Sequence, residues 1–367
     1  MQSDPPFRRQ KHFGINRTWG GLYMIYFNCD YNEGAHPAVL QRLAETNGCQ
    51  TIGYGCDEYC EHARQLLRES LRQPDAAIHF IVGGTQANTI VIKSILRPHQ
   101  GVLCADSGHI NAHETGAVEA MGHKVLALPG TDGKITAAQV RKAVLEHRQD
   151  GSFEHIVQPG MVYISFPTEV GTLYSKAELT ALYGVCRELG LPLFIDGARL
   201  GYGLASPACD LTLPQVAALC DAMTIGGTKQ GLLFGEAVVL TDPALQRDFR
   251  YLIKQHGGML AKGRLLGVQY EAIWQDGLYF TLSRHAVTEA LRIREALLAK
   301  GWKPHVDSPT NQQFFVLPNE AVNALSDRYV LEVGAAADEG HTVVRFCTSW
   351  ATKAENVDAL LRDIAAL

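Results

Sequence analysis

Two short apolar runs, each ending at a charged residue among glycines, constrain the fold of this chain most strongly. Leu193–Asp196 is followed by Gly-Ala-Arg199, and Met223–Gly226 is followed by Gly-Thr-Lys229. Unbroken apolar runs of this length are typical of strands that are buried on both faces of a parallel sheet. Ligands of open α/β sheets bind at the carboxyl ends of such strands. The sequence therefore predicts a ligand site where these two strands end.

Strand-like and helix-like segments alternate through the middle of the chain. Apolar runs predict strands over 77–82, 102–105, 124–128, 161–166, 193–196, 223–226 and 237–240. Amphipathic periodicity predicts helices over 59–73, 83–96, 136–147 and 176–189, with Thr136 as a helix cap. Repeated βα units predict an α/β fold with a mostly parallel central sheet and helices on both of its faces.

The pattern changes near residue 265, which predicts a second and smaller α/β domain. Its expected elements are helices over 283–299 and 354–366 and strands over 314–317, 329–333 and 342–347. We therefore expect a large domain over 24–265 and a small domain over 266–367. Residues 1–23 are polar, are interrupted by prolines and lack the apolar segment of a signal peptide. We expect them to be a disordered extension, with Met24 as an alternative start.

Composition narrows the class of protein. Hydrophobic residues make up 46% of the 367 residues and charged residues 19%, which is typical of a folded chain with a large core. The formal net charge of −5 gives no electrostatic reason to expect nucleic acid as a partner. No apolar segment has the length of a membrane span. Nine scattered cysteines without a disulfide pattern fit a reducing cytoplasm.

The charged residues after the two apolar runs suit one cofactor, pyridoxal 5′-phosphate (PLP). Lys229, in a glycine-rich turn, is suited to form a Schiff base with the cofactor aldehyde, and Asp196 is suited to keep its pyridine nitrogen protonated. Arg199 is suited to hold an anionic group. The alternatives are that Lys229 is a surface lysine and that Asp196 only caps a helix.

A second glycine-rich turn predicts where the cofactor phosphate binds. Gly83, Gly84 and Thr85 lie between a predicted strand and a predicted helix. Backbone N–H groups at the start of a helix, together with the helix dipole, attract an anion, and the Thr85 hydroxyl would add a further donor. The alternative is a plain turn in which Thr85 caps the helix. The segment is not a Walker motif, because no Gly-Lys-Ser/Thr follows.

Two further groups of residues allow alternative interpretations. His109 and His113 could share a helix face, but a third ligand at zinc spacing is missing, so we expect no metal. Either a ring stacks on the cofactor or the histidines bond only to the backbone. Arg345 lies inside an apolar strand of the predicted small domain. It either forms a structural salt bridge or binds a substrate carboxylate.

Taken together, these segments resemble the PLP-dependent threonine aldolase and aromatic amino acid β-eliminating lyase family, of the aspartate-aminotransferase-like fold type I, from about Met24 to the C-terminus. The resemblance implies a PLP-dependent transferase-like fold in which Lys229 is the Schiff-base lysine and Asp196 pairs with the pyridine nitrogen. The remaining implied roles are phosphate binding by Gly84 and Thr85, stacking on the cofactor by His109, and binding of the substrate carboxylate by Arg199 and Arg345.

The sequence departs from the family pattern at two positions. Many members have Ser-Asp near the N-terminus, with the serine near the substrate carboxylate, whereas this chain has Cys29-Asp30. Many members also have Thr-His-Asn after the strand that corresponds to 161–166, and this chain has Thr168-Glu169. The general base is therefore His109, Glu169 or an ordered water molecule.

The resemblance implies a lyase of amino acid metabolism that cleaves the Cα–Cβ bond of a β-hydroxy-α-amino acid, with threonine or allo-threonine giving glycine and acetaldehyde. A β-eliminating lyase or an aminotransferase on the same scaffold is the first alternative, and a non-catalytic PLP-binding protein is the second. The partner is then a small amino acid substrate. A homodimer or homotetramer is expected, because a segment resembling Tyr54–Asp57 contributes to the site across the subunit boundary in this family.

Overall fold

The computed structural model describes residues 24–367. Its strands are β1 (Ile25–Tyr26), β2 (Ala77–Ile81), β3 (Gln100–Ala105), β4 (Lys124–Leu128), β5 (Gln158–Ser165), β6 (Leu193–Asp196), β7 (Ala222–Gly226), β8 (Glu236–Leu240), β9 (Lys303–Val306), β10 (Gln312–Pro318), β11 (Tyr329–Val330), β12 (Glu332–Ala336) and β13 (His341–Cys347). The predicted disordered extension over 1–23 lies outside the described residues.

The helices of the described residues cover most of the remaining chain. They are α1 (Pro37–Thr46), α2 (Glu58–Leu71), α3 (Gly84–Ile95), α4 (His109–Ala112), α5 (Ala117–Ala120), α6 (Ala137–Gln149), α7 (Lys176–Leu189), α8 (Leu200–Ala205), α9 (Leu213–Ala217), α10 (Pro243–Gln246), α11 (Phe249–Gln255), α12 (Arg264–Trp274), α13 (Leu278–Ala299), α14 (Asn319–Ser326) and α15 (Ala354–Ala366).

A seven-stranded sheet forms the centre of the molecule, with strand order β2-β8-β7-β6-β5-β3-β4. The pairs from β7 to β4 are all parallel, whereas β8 runs antiparallel to both of its neighbours. Helices cover both faces: α3 and α11 pack on one, and α2, α6, α7 and α12 pack on the other. The predicted α/β class and the mostly parallel sheet are therefore confirmed.

A four-stranded antiparallel sheet, in the order β12-β13-β10-β9, forms a second layer near the C-terminus. Its inner residues pack against α13 and α15. The predicted strand over 329–333 is wrong as a single strand. It breaks at Leu331, because Tyr329–Val330 pairs with β1 while Glu332 begins the edge strand beside β13. The division into domains over 24–265 and 266–367 stays a prediction.

Helix ends agree with the sequence where the capping residues are explicit. Ser175 and Glu178 form a capping box at the start of α7, and Gly190 ends that helix with a φ of 73°. Thr136 forms the same kind of box with Gln139 at α6. Within residues 24–367, no helix has the length and apolarity to cross a membrane. No group of three or more metal-binding side chains is found over the same residues.

Candidate active site

Lys229 lies on a short 3₁₀ turn, Thr228–Gln230, just beyond the carboxyl end of β7. Glycines allow this chain end to approach the loop after β6 very closely. A Cβ added at Gly226 would lie 2.3 Å from the carbonyl oxygen of Ala198. Because no side chain fits there, the end of β7 packs directly on the loop that follows Asp196. The Lys229 ammonium group has no hydrogen-bond or ion-pair partner among the described residues.

Asp196 ends β6 as a buried carboxylate that hydrogen bonds hold in one orientation. Its Oδ2 accepts hydrogen bonds from Tyr163 Oη at 2.7 Å and from Asn88 Nδ2 at 2.9 Å. Its Oδ1 accepts a hydrogen bond from the backbone N–H of Ala198 at 2.9 Å. The donors come from β5, from α3 and from the loop after β6, so the position of this carboxylate is fixed by the fold.

His109 begins α4 and is held by a buried carboxylate that the sequence analysis did not single out. Its Nδ1 lies 2.7 Å from Glu114 Oε1, and that same oxygen accepts a hydrogen bond from Asn88 Nδ2 at 2.8 Å. Asn88 therefore connects the Glu114–His109 pair to Asp196. The hydrogen bond to Glu114 raises the pKa of His109 above its ordinary value, against the opposing effect of burial. A raised pKa favours the imidazolium form.

Glu169 follows β5 and presents a second, half-buried carboxyl group to the same space. Its Oε1 accepts hydrogen bonds from Ser165 Oγ and from the backbone N–H of His109, the latter at 2.8 Å. Its Oε2 has no side-chain partner within the described part of the chain. Burial, the largest influence, raises the pKa of Glu169 above its ordinary value. A carboxyl group with a raised pKa can exchange protons closer to neutral pH.

The start of α3 forms an open cradle. The helix begins at Gly84 after the extended residue Gly83, and no side chain caps its first N–H groups. Thr85 is therefore not the helix cap, contrary to the alternative interpretation, because the helix begins before it. A Cβ added at Gly83 or Gly84 would meet no atom within 4 Å. Free N–H groups beside open space are what an anion requires at a helix start.

Arg199 faces the same space and forms an ion pair with the buried Asp30. Arg199 Nε and Nη2 donate hydrogen bonds at 2.6 and 2.9 Å to the two carboxylate oxygens of Asp30. Asn311 Nδ2 donates a further hydrogen bond at 3.0 Å to Asp30 Oδ2. Burial alone would raise the pKa of Asp30, but the charge of Arg199 and its hydrogen bonds lower it overall. The pair fixes the guanidinium plane at the edge of the pocket.

Arg345, on β13, contacts the same N-terminal segment. Its Nη2 donates hydrogen bonds to the carbonyl oxygen of Asn28 at 2.7 Å and to Glu332 Oε2 at 3.1 Å. Its Nη1 donates at 3.2 Å to Gln312, which in turn contacts the Glu169 backbone. Cys29 is buried beside these groups, and burial raises the pKa of its thiol. Cys29 is therefore placed as a neutral thiol.

One pocket brings together most of the residues that the sequence singled out. It is lined by Gly84, His109, Glu169, Asp196, Arg199 and Lys229. Thr85 lies beside it at the exposed start of α3, whereas Cys29 and Arg345 are not among its lining residues. Sequence reasoning missed Asn88, Glu114 and Tyr163. The one available signal was the acidic Glu114 five residues after His109.

These features fit PLP as the cofactor. A lysine amine, a fixed carboxylate, an imidazole ring and an uncapped helix start face one pocket. The amine matches the cofactor aldehyde, the carboxylate its ring nitrogen, the imidazole its ring face and the helix start its phosphate. The mixed sheet and the C-terminal sheet complete the architecture of a fold type I PLP-dependent enzyme.

Comparison with known proteins identifies the family. The Beta-eliminating lyase family model matches residues 36–345. The low specificity L-threonine aldolase of Pseudomonas aeruginosa is 32% identical over 348 residues, which cover 92% of this chain and 96% of that protein. The chain therefore belongs to the beta-eliminating lyase family and is a PLP-dependent lyase.

Solved structures agree with this assignment. A structure of Leishmania major threonine aldolase superposes with a TM-score of 0.91 at 42% sequence identity, covering 93% of this chain and 99% of that chain. Aspartate aminotransferase from Thermus thermophilus superposes with a TM-score of 0.67 at 15% identity, covering 95% of this chain and 92% of that chain. The second similarity concerns the fold alone.

Proposed function

We propose that this chain is a PLP-dependent aldolase that cleaves the Cα–Cβ bond of a β-hydroxy-α-amino acid. Threonine or allo-threonine is the proposed substrate, and glycine and acetaldehyde are the proposed products. One observation carries this proposal: Lys229, Asp196 and the carboxyl group of Glu169 meet in one pocket. The similarity to threonine aldolases over nearly the whole chain supports it.

The proposed cofactor contacts follow from the chemistry of each side chain. Gly84 and Thr85 would hold the phosphate, since the start of α3 offers N–H donors without a cap. Asp196 would carry the negative charge that a protonated ring nitrogen requires. The His109 ring would lie against the pyridine face, and Lys229 would hold the aldehyde carbon.

The substrate carboxylate is proposed to bind between Arg199 and Arg345, near Cys29. The Asp30 carboxylate already orients the Arg199 guanidinium group, so little side-chain entropy is lost when substrate binds. Arg345 reaches Asn28 and, through Gln312, the backbone of Glu169. Holding the carboxylate with these two arginines would orient the bonds at Cα of the substrate.

Glu169 is proposed as the general base for the β-hydroxyl proton. When bound, PLP supplies an electron-poor ring that accepts the electron pair of the broken bond. Glu169 Oε2 would accept the hydroxyl proton, while Ser165 and the His109 backbone N–H hold Oε1 in place. Its raised pKa brings this carboxyl group closer to neutral pH, where proton transfer in both directions is efficient.

The test is product analysis with the purified, PLP-loaded protein. L-threonine and L-allo-threonine are supplied separately, and we expect equal amounts of acetaldehyde and glycine. Lys229→Ala is the control and should release neither product. Ammonia with a keto acid would instead indicate β-elimination or transamination. No reaction with either substrate or with phenylserine, tryptophan or tyrosine would contradict an enzymatic role.

We also propose a cytoplasmic homodimer or homotetramer. The cysteines of the described residues are all free thiols, which is typical of a reducing compartment. Ile52, Tyr54 and Tyr251 are 71%, 47% and 77% exposed, and Tyr54 contacts Arg250 of the helix that carries Tyr251. Exposed apolar residues in one region favour a subunit contact. Light scattering of the protein as it elutes from a size-exclusion column distinguishes monomer, dimer and tetramer.

A further inference from the structure

Glu236, the first residue of β8, is a buried carboxyl group that the proposed mechanism does not use. It is 3% exposed, and its Oε2 atom has no hydrogen-bond partner among the described residues. A buried carboxyl group with one oxygen left unpartnered is costly, so its presence needs an explanation. Its position within the sheet provides one.

The reversed direction of β8 places Glu236 at the edge of the sheet where the cofactor is proposed to bind. Glu236 pairs with Gly226, the last residue of β7, and with Ile81, the last residue of β2. The chain after Gly226 leads to Lys229, and the chain after Ile81 leads to Gly84. Glu236 therefore begins its strand between the lysine turn and the start of α3.

The alternation of side chains along β8 shows which face Glu236 occupies. Val238 and Leu240 pack with Ala87 and Ile90 of α3. Residues two apart on a strand point to the same face, so Glu236 lies on the α3 side as well. Since it is the residue of β8 closest to the carboxyl edge, it lies on the α3 side of the sheet at the edge where α3 begins. The first turn of α3 carries the uncapped N–H groups and the open space at Gly84.

The charges around Glu236 oppose each other. Burial is the largest influence and raises its pKa to about 8, and Asp196 also raises it. The positive charge of Lys229 and a hydrogen bond with the Thr228 side chain lower it. His79 of β2 points to the same face, and burial lowers its pKa to about 3, so it is neutral. The first two turns of α3 carry no titratable side chain.

Titratable groups of the remaining neighbours are neutral near pH 8. On α12 and α13, burial holds the pKa values of Tyr270 and Tyr279 far above their ordinary value. Beyond α11, burial lowers the pKa of His256, whose carbonyl oxygen accepts a hydrogen bond from Gln86 of α3. Glu236 is therefore a buried group on the α3 side of the sheet whose pKa lies between pH 7 and 9.

We propose that Glu236 is a positioning residue for the cofactor phosphate at the start of α3, and that its carboxyl group must be protonated for the phosphate to bind, so that it takes up one proton on binding whenever it is ionised in the free protein. An ionised carboxylate at this edge of the sheet would repel a phosphate dianion, whereas a neutral carboxylic acid does not. The proton comes from solvent, and no other bond changes. The inference rests on the proposed phosphate site, but not on the aldolase reaction.

The consequence is that the contribution of the phosphate to the affinity for PLP should depend on pH. Above a pKa of about 8 the free protein must first gain a proton, so its affinity for PLP should fall about tenfold per pH unit. Pyridoxal, which lacks the phosphate, reports every other effect of pH, including that on Lys229. The ratio of the two dissociation constants therefore isolates the contribution of Glu236.

The experiment measures the dissociation constants of PLP and pyridoxal for the apo protein from pH 7 to 9.5, without an amino acid. We expect the advantage of PLP over pyridoxal to be constant below about pH 8 and to fall about tenfold per unit above it. In Glu236→Gln the advantage should not change with pH. Glu271→Gln, which alters a buried carboxylate bonded to Arg42, should behave like the native chain.

An unchanging ratio in the native protein, or the same slope in Glu236→Gln, would overturn the proposal. If that variant does not fold, calorimetry on the native protein decides. PLP binding at pH 9 in buffers of different ionisation enthalpy should take up about one proton more than pyridoxal binding does. Equal uptake would overturn the proposal. Neither result depends on whether threonine is cleaved.

Discussion

At the scale of single residues, the candidate site contains two pocket-facing groups with raised pKa values, and the physical cause differs between them. Glu169 is a carboxyl group whose pKa burial raises, and His109 is an imidazole whose pKa Glu114 raises. The first shift favours the protonated acid of Glu169 and the second favours the imidazolium form of His109. Acid–base chemistry near pH 7 uses groups of this kind.

Replacing Glu169 by glutamine should remove the proposed base while keeping its shape. We expect kcat for threonine cleavage to fall by about 10²–10⁴-fold, with little change in the affinity for PLP. In the native enzyme kcat should rise with pH as Glu169 loses its proton, and the variant should lack this rise. Steady-state rates from pH 5 to 9 measure it. Glu320→Gln, at an exposed position, should match the native enzyme.

Replacing Glu114 by glutamine should lower the pKa of His109. The hydrogen bond to Glu114 is the largest influence that raises it, and a neutral amide provides no compensating charge. An NMR titration of the His109 ring in the apo protein measures the shift. The His109 resonance is assigned with His109→Asn. An unchanged titration would show that the contact at 2.7 Å does not control the charge of His109.

From the sequence alone we predicted the residues that their neighbours in the chain mark out. We missed the residues whose role depends on contacts with distant parts of the chain. Lys229 and Asp196 stand where apolar strands end, and Gly84 stands in a glycine turn, so each carries a local signal. Asn88 lies inside α3, with no such signal. Its amide connects Glu114 to Asp196 only because the helix packs across the sheet. Contacts of this kind depend on the tertiary structure and cannot be read from the spacing of residues in the sequence.

At the scale of elements, α3 matters because its first turn is left without a cap. A side chain added there should disturb the ligand and not the fold. We expect Gly84→Ala to change the free energy of unfolding by less than about 1 kcal/mol, since the new Cβ meets no protein atom. The affinity for PLP should fall by at least about tenfold, because the Cβ fills the proposed phosphate space.

Pyridoxal and a second glycine provide the controls for that prediction. Pyridoxal has no phosphate, so its affinity should be the same for Gly84→Ala and for the native chain. Gly184, on the exposed face of α7, also has no atom within 4 Å of an added Cβ. Gly184→Ala should stabilise the protein by about 0.5–1 kcal/mol without affecting PLP. Equal loss of PLP and pyridoxal affinity would contradict the phosphate cradle at Gly84.

Elements with explicit ends were predicted well, and elements without them were not. The bounds of α7 and α15 agree with the sequence prediction. In contrast, α1 and α12 were missed. For α12 the reason is that the helix is buried around most of its circumference and lacks the polar face that marks a surface helix. The antiparallel direction of β8 was also not predicted, since strand direction depends on the connection and not on the strand residues.

At the scale of the whole molecule, the ion pair of Asp30 and Arg199 joins distant parts of the chain. Asp30 belongs to the N-terminal segment, Arg199 follows β6, and Asn311 precedes β10. We expect Asp30→Asn to reduce the free energy of unfolding by about 3–5 kcal/mol, because it leaves a buried guanidinium group without its counter-charge. Urea unfolding at pH 7 measures this. Asp338→Asn, at an exposed pair with His341, should change it by less than about 0.5 kcal/mol.

The same pair predicts part of the response to acid. The pKa of Asp30 is lower in the folded protein than its ordinary value of 3.8. Its contribution is therefore fully present above pH 3.8 and is lost as pH falls through the lower, folded pKa. The difference in stability between the native chain and Asp30→Asn should shrink only below that pH. A difference that already shrinks between pH 7 and 5 would contradict this origin.

Strand β1, with only Ile25 and Tyr26, pairs with Tyr329 and Val330 of β11. During synthesis on the ribosome, the N-terminal strand emerges long before its partner. At about 5–20 residues per second, the intervening chain takes roughly 15–60 s to be made. Asp30 lies four residues after β1, and Arg199 is made 130 residues before Tyr329, so Arg199 waits for β11 for roughly 7–26 s at the same rate. The pocket is thus among the last parts of the newborn chain to be completed.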